Sequence, residues 1–350
     1  MQKILAIIGA RPQFIKHAPV ELELRQEFNL VTIHTGQHYD DNMSKVFFDE
    51  LKINKPEYLL ELGGMSHGKQ TGMMMMQIED IVLDEEPDAI LIYGDTNSTL
   101  AGALVGAKLH IPVFHIEAGL RSFNKSMPEE INRVLADHIS DMFFIPSETA
   151  RTNLHKEGVK NNIFNVGDVM YDMILLARKT GLMKNSDQSG YYYVTLHRPY
   201  NVDIEPRLTE ILKMLNSLDK IAIFAIHPRT RKKMEKFDLK TSDYSNIKFI
   251  DPVSYFENIN YIYNCNGLIT DSGGMQKEAY WLKKKCITVR PETEWIETLE
   301  NKWNTLVFDD LKKIGNIINI QPGEYKEDVY GNGNASEKIR LEIMKYFKNK

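Results

Sequence analysis

The chain is poor in cysteine: Cys265 and Cys286 are the two it has in 350 residues. Their spacing fits neither a metal site nor a disulfide framework, so a reducing cytoplasm is the expected setting. Long apolar runs are missing as well, and none approaches the length of a bilayer span. The opening MQKILAIIGARP is too short in its apolar part for a signal peptide and lacks a small-residue cleavage site. It reads as a first strand. Basic clusters are absent, and a formal charge of -5 offers no bulk attraction to nucleic acid or a membrane surface. Two glycine signatures are also lacking. GARPQFIK after the first strand is not the GxGxxG dinucleotide fingerprint, and GGMSHGKQTG (63–72), expected to be a loop, is not spaced as GxxxxGK[ST]. Neither a metal nor a cofactor is expected.

What is present is an alternation of short apolar runs with amphipathic stretches. KILAIIG, NLVTIHTG, PDAILIYGD, IPVFHIEAG, DMFFIPS and NIFNVGD read as buried strands. ARPQFIKHAPVELELRQEF in its later part, DDNMSKVFFDEL, MMMMQIEDIVLDEE, TLAGALVGAKLH, EEINRVLADHIS and ARTNLHKEGV read as helices. Arg178 to Gly190 is polar, unpatterned and linker-like. Beyond it the alternation restarts with YYYVTLH, PRLTEILKMLNSL, KIAIFAIHP, KFIDPVSYFENINYIYNC, GLITDSGG, MQKEAYWLKKK and CITVRPETEW. The expected class is α/β, with two Rossmann-like doubly wound domains at 1–178 and 190–334. A C-terminal helix, 335–350, is expected to pack back on the first domain.

Chemistry-bearing residues gather at the ends of these strands. Asp95 follows ILIYG and Glu117 follows PVFHI, and parallel strands bring such ends to one rim. Glu129 and Glu130 open a helix behind Pro128, where acidic side chains suit the dipole. Carboxylates on one rim can remove a proton from one side of a substrate and supply it on the other. The plainer reading makes Asp95 a cap for a helix starting at Thr96. Gly9 permits a tight strand-to-helix turn that would aim Arg11 and Lys16 at an anion. Gln37, His38 and Asp40 lie in the loop after the second strand, and a lone His38 reads as structural. In the second half, His197 and Arg198 follow one strand and His227 follows the next. Ser272, Gly273 and Gly274 open a helix as a diphosphate seat, with Asp or Ser as the alternative cap. Glu278 is placed to accept from ribose hydroxyls, and Arg290 follows a strand at the same end.

GARPQFIK, GDTNSTLAGAL, HIEAGLRS, PEEINR, the His197-Arg198 pair, TDSGG.Q.EA and the late YGNGNAS together resemble the non-hydrolysing UDP-N-acetylglucosamine 2-epimerase family. The resemblance spans nearly the whole chain. It implies the two-domain architecture of GT-B glycosyltransferases, domains facing a cleft, and inversion of sugar C2 by elimination and re-addition of UDP. It implies catalytic roles for Asp95, Glu117, Glu129 and His197. It implies substrate or UDP contacts for Arg11, Lys16, Arg198, Asn258, Ser272, Gly273, Gly274, Glu278 and Arg290. Gln37, Gln70 and His227 match a possible activator site, and a homodimer is implied. Trp295 stands where many members carry arginine, and Leu196 stands where GHR is common. With GQHYDDNMS and NVGDVMYD, these departures resemble the branch acting on UDP-2,3-diacetamido-2,3-dideoxyglucuronic acid. A hydrolysing epimerase, a glycosyltransferase and a non-catalytic sugar-nucleotide sensor are the competing readings.

Overall fold

A computed structural model describes residues 1–37, 53–186 and 190–350. The DDNMSKVFFDEL stretch, His38 and Asp40 lie outside the described residues, as does the side chain of Arg11. The chain forms two compact units, Met1–Leu176 with Glu327–Lys350, and Ala177–Lys326.

In the first unit the order is β1 (Lys3–Ile8), α1 (Arg11–Leu24), β2 (Asn29–His34), β3 (Tyr58–Leu59), α2 (His67–Glu85), β4 (Ala89–Tyr93), α3 (Asn97–Lys108), β5 (Val113–Ile116), α4 (Pro128–His138), β6 (Met142–Ile145), α5 (Glu148–Lys156), β7 (Ile163–Asn165) and α6 (Val169–Lys179). The unit boundary falls inside α6. The strands form one parallel sheet in the order β3-β2-β1-β4-β5-β6-β7. Helices cover both faces, so the central strands need no polar alternation. Every residue of β4 is buried, and in β1 only Lys3 is not.

The second unit repeats the plan: β8 (Tyr191–Thr195), α7 (Pro199–Val202), α8 (Glu205–Asn216), β9 (Ile221–Ala225), α9 (Pro228–Lys236), β10 (Ile247–Ile250), α10 (Tyr255–Asn264), β11 (Gly267–Thr270), α11 (Gly273–Trp281), β12 (Cys286–Thr288) and β13 (Asn304–Leu306). Its parallel sheet runs β10-β9-β8-β11-β12-β13. The doubly wound α/β expectation holds in both units. The chain then returns to the first unit, where α12 (Ala335–Lys348) packs on α1. Asp172 of α6 caps α12, accepting from the backbone N–H groups of Ala335 (3.1 Å) and Ser336 (2.6 Å). Arg340 pairs with Glu23 at 3.0 Å. Among the described residues, no helix is long and apolar enough to cross a membrane.

Three local expectations are corrected. The glycine-rich stretch 63–72 is helical from His67 onward, because Gln70, Met74, Ile78 and Val82 form one buried seam at helical spacing. That seam outweighs the helix cost of Gly68 and Gly72, about 1 kcal/mol each. The short edge strands β3 and β13 lie in stretches whose patterning predicted no strand. Gly9 is required by space rather than by an unusual turn. A Cβ there would lie 2.1 Å from both Ser98 Oγ and Thr35 Oγ1, which hydrogen-bond each other across it.

Candidate active site

In an open parallel sheet, the crevice lies where the winding reverses, outside the carboxyl ends of the strands. In the first unit that point lies between β1 and β4. The chain leaves β1 at Gly9, β4 at Gly94-Asp95 and the neighbouring β5 at Glu117. Lys16, on the second turn of α1, reaches the same place. Its Nζ donates to Glu117 Oε1 at 2.8 Å and lies 2.7 Å from Oε2. A Cβ on Gly94 would lie 3.5 Å from Lys16 Nζ and 3.7 Å from Glu117 Oε1, so this bare backbone floors the pair. Glu117 holds φ at +68°, a left-handed conformation that costs a side-chain-bearing residue about 1 kcal/mol or more. Such strain persists where surrounding structure over-determines it. Here the Glu117 N–H is tied to the Phe144 carbonyl at 3.0 Å.

Asp95 does not cap the following helix. Thr96 does, accepting from the Thr99 N–H at 3.3 Å. Asp95 instead pairs with Arg133 of α4. Burial pushes its pKa above the usual carboxylate value. Arg133 and Lys16 oppose that rise, while Glu117 and Glu129 add to it. Burial works against the charge on Lys16, but Glu117, Asp95 and Asp168 outweigh it and raise its pKa. The result is one ammonium held among carboxylates whose proton affinities depend on one another. Glu129 and Glu130 part company. Glu130 is buried and accepts from Ser122 N–H and Phe123 N–H, both at 2.9 Å. Glu129 is exposed and contributes charge near Asp95.

A support that local patterning did not reveal lies beneath this rim. His115 is fully buried, with Nδ1 at 2.7 Å from Asp137 Oδ1 and Nε2 at 2.8 Å from the Gly94 carbonyl. A carbonyl only accepts, so Nε2 is the donor. Asp137 Oδ2 also accepts from Gly119 N–H at 3.1 Å and Arg121 Nη1 at 2.7 Å. One carboxylate on α4 therefore ties together the β4 end before Asp95, the β5 end around Glu117 and the helix that bears Glu129.

Gln37 and Gln70 belong to this unit. Gln37 Oε1 accepts from Ser98 Oγ at 3.0 Å. Gln70 is buried, donating to the Leu62 carbonyl at 2.7 Å and accepting from Asn97 at 2.8 Å.

In the second unit the winding reverses between β8 and β11. His197 and Arg198 follow β8, and Asp271 to Gly274 follow β11. Ser272 occupies the N-cap position of α11, yet its side chain makes no capping bond. At Gly273 a Cβ would lie 2.7 Å from Glu294 Oε1, so that carboxylate end would have to shift to admit one. Gly274 faces open space, with nothing within 4 Å of its Cβ position. Arg290 is buried beside this turn and pairs with Glu294 at 3.1 Å. Its Nη1, 3.7 Å from the Gly273 Cβ position, has no hydrogen-bond partner among the described residues. Free helix N–H groups and an unspent guanidinium N–H together make an anion seat.

Further along α11, Glu278 is buried near Tyr193. The Tyr193 hydroxyl donates to Asn258 Oδ1 at 2.9 Å, which commits that side-chain oxygen. Trp295 is buried, and Lys277 Nζ sits 3.5 Å above its ring. The place expected to lack a cation therefore has one, supplied from α11. His227 caps α9 and stacks on His197, centroids 5.1 Å apart.

Comparison with known proteins identifies the family. A family model described as UDP-N-acetylglucosamine 2-epimerase matches residues 20–344. A UDP-N-acetylglucosamine 2-epimerase homolog of Methanococcus maripaludis is 50% identical, covering 98% of this chain and 99% of the relative. A UDP-2,3-diacetamido-2,3-dideoxy-D-glucuronate 2-epimerase of Pseudomonas aeruginosa is 46% identical over 98% of this chain and 99% of its own length. The crystal structure of Methanocaldococcus jannaschii UDP-GlcNAc 2-epimerase in complex with UDP-GlcNAc and UDP superposes with a TM-score of 0.89, at 43% identity, covering 99% of this chain and all of that one. The chain therefore belongs to the UDP-N-acetylglucosamine 2-epimerase family.

Proposed function

We propose that the protein is a non-hydrolysing UDP-N-acetylglucosamine 2-epimerase, an isomerase that interconverts UDP-GlcNAc and UDP-ManNAc for cell-surface polysaccharide precursors. The observation that carries this reading is the Glu117–Lys16–Asp95 cluster at a topological switch point. A C2–H beside an acetamido group is a weak acid, so its removal must be coupled to loss of a good leaving group. One carboxylate of the first unit takes the C2 proton. The C–H electron pair becomes the C1–C2 double bond, the C1–O bond breaks, and its electrons leave on UDP. Re-addition with proton delivery to the other face gives the epimer. Asp95, Glu117 and Glu129 are the acid and base candidates, and the raised proton affinity of Asp95 suits a group that must hold and release a proton.

In this reading the second unit keeps the nucleotide. Ser272, Gly273, Gly274, Arg198 and Arg290 hold the diphosphate, Glu278 the ribose, and backbone near Asn258 the uracil, while His197 meets the reacting end. Arg11 and Lys16 supply cationic contacts from the first unit. Gln37, Gln70 and His227 are assigned to activator binding, although the hydrogen bonds of Gln70 already engage both ends of its amide. The reading includes a cytoplasmic homodimer that uses neither metal nor redox cofactor.

The 46% identity to the diacetamido-glucuronate epimerase favours a second substrate, UDP-2,3-diacetamido-2,3-dideoxyglucuronic acid. Incubation of each UDP-sugar in D2O, followed by NMR, separates the readings. Deuterium at C2 with a UDP-linked epimer supports an epimerase and identifies its sugar. Free N-acetylmannosamine at the turnover rate would instead mean a hydrolase, and binding without exchange would mean a sensor. Asp95→Asn and Glu117→Gln are expected to lower C2 exchange at least about 100-fold while UDP still binds. Wild-type exchange in either variant removes that residue from the mechanism.

A further inference from the structure

The chain segment between β11 and α11 contains a carboxylate that the role assignment leaves unused. Asp271 is fully buried. It accepts from the backbone N–H of His197 at 3.0 Å, from that of Arg198 at 2.9 Å and from Asn201 Nδ2 at 3.0 Å. His197 Nδ1 lies 3.1 Å from Asp271 Oδ1. Burial alone would raise this carboxyl, but the His197 imidazole, Asn201 and the Arg198 N–H outweigh it and hold its pKa below the ordinary value. An ionised carboxylate only accepts, so Nδ1 of His197 carries the hydrogen. Nε2 makes no hydrogen bond among the described residues, and the side chain is 34% exposed.

His227 has the opposite arrangement. Its Nδ1 accepts from the Arg229 N–H at 3.1 Å, so its hydrogen sits on Nε2 when neutral. Burial, then the charge of His197, lowers its pKa. Proton gain at His227 is therefore disfavoured beside a charged His197. The charged groups around the pair are Asp271 after β11, Arg198 beside His197 and Arg229 on α9.

We propose that Asp271 is a positioning residue: it locks His197 as the Nδ1–H tautomer, leaves Nε2 to meet the diphosphate of a UDP-sugar, and steadies the imidazolium that forms there. The step rests on the epimerase reading. As the C1–O bond breaks, its electron pair goes to a phosphate oxygen, and Nε2–H of the imidazolium bonds to that oxygen. On re-addition the pair returns to C1 and the hydrogen stays with Nε2. The C2 proton is handled by the first unit, and the hydrogen on Nε2 is taken up from water as the diphosphate binds, so no other reactant is needed.

Asp271→Asn tests the lock. Arg198 N–H and Asn201 already claim one oxygen, so the new amide would turn its NH2 toward His197 Nδ1 and force hydrogen onto Nε2. Nitrogen-15 NMR of the intact protein is expected to show Nδ1–H at His197 in wild type and Nε2–H in the variant. Turnover should fall about 100-fold or more, with KM changed less than about threefold, and the alkaline limb of the pH profile should move to lower pH, because the imidazolium loses its counter-charge. Asp271→Asn combined with His197→Gln should be no slower than His197→Gln alone, within about threefold. An Nε2–H tautomer in wild-type protein overturns the proposal whether or not the variant folds. So does wild-type turnover in Asp271→Asn, or losses that multiply in the double variant. The tautomer measurement needs no substrate, so failure of the lock and failure of the epimerase reading give different results.

Discussion

Glycines 273 and 274 are neighbours with different physical duties. Gly273 is crowded by Glu294, whereas Gly274 meets nothing within 4 Å. Gly274→Ala should therefore leave folding stability within about 0.5 kcal/mol of wild type, since alanine also favours the helix. If α11 seats a diphosphate, the added methyl lies where backbone and phosphate approach. UDP affinity should then fall about tenfold or more by calorimetry, and unchanged affinity would move the seat elsewhere. A second residue-scale prediction concerns acid stability. Burial, then the charges of Arg25 and His34, lowers the pKa of His17 to about 3. A base with a depressed folded pKa contributes stability that is complete above its unfolded value near 6.5 and is lost as pH falls toward 3. At about pH 5 the loss is about 2 kcal/mol. His17→Gln keeps a partner for the Tyr93 hydroxyl but cannot take the proton. Its urea midpoint should change less between about pH 7 and pH 5 than that of wild type. An equal change would place the acid sensitivity in other groups.

At the scale of elements, the His115–Asp137–Arg121 network connects two strand ends with α4. Asp137→Asn removes the carboxylate that buried His115 and Arg121 share and leaves Arg121 with Glu157 alone, which costs about 3 kcal/mol or more. Chemical denaturation measures that loss, and a cost below about 1 kcal/mol would mean the network is not a structural tie. The network also shows why the strand ends were readable and their supports were not. Asp95 and Glu117 follow apolar runs, and a parallel sheet sends both to one rim from local pattern alone. Asp137 sits in the last turn of α4, and nothing in EEINRVLADHIS reveals that it faces His115 rather than solvent. Asp271 posed the same problem. DSGG predicts a helix start, and Asp271 does sit at one, but its hydrogen bonds go to the turn after β8. Local pattern left Glu129 and Glu130 alike, and the resemblance alone singled out Glu129, because only the turn at Ser122 decides which one it consumes. The beginning of α2 was missed for another reason: glycine content in 63–72 outweighed a buried seam that becomes visible only over four turns.

Across the whole molecule, the alternation of strands and helices made the two doubly wound sheets legible, and the strand ends drew attention to both switch points. The return of helix 335–350 to the first domain was expected, but its docking contacts were not, because no local pattern states what a late helix touches. The structure answers that through Asp172 at the α12 N-terminus, Arg340 on Glu23, and the rings of Tyr346 and Phe347 against Phe114. Ile339 and Ile343 are wholly buried in the same contact. Removal of 335–350 should therefore destabilise the first unit by about 5 kcal/mol or more. Hydrogen exchange across α1 would report it, and unchanged protection there would show that α12 is dispensable.

This return has a consequence for biogenesis. The unit that leaves the ribosome first cannot be finished until α12 has been translated. Through synthesis of all of Ala177–Lys326, its α1 face waits uncovered. At about 5–20 residues per second that wait is many seconds, long enough for a nascent-chain chaperone to matter more to this unit than to the later-made one.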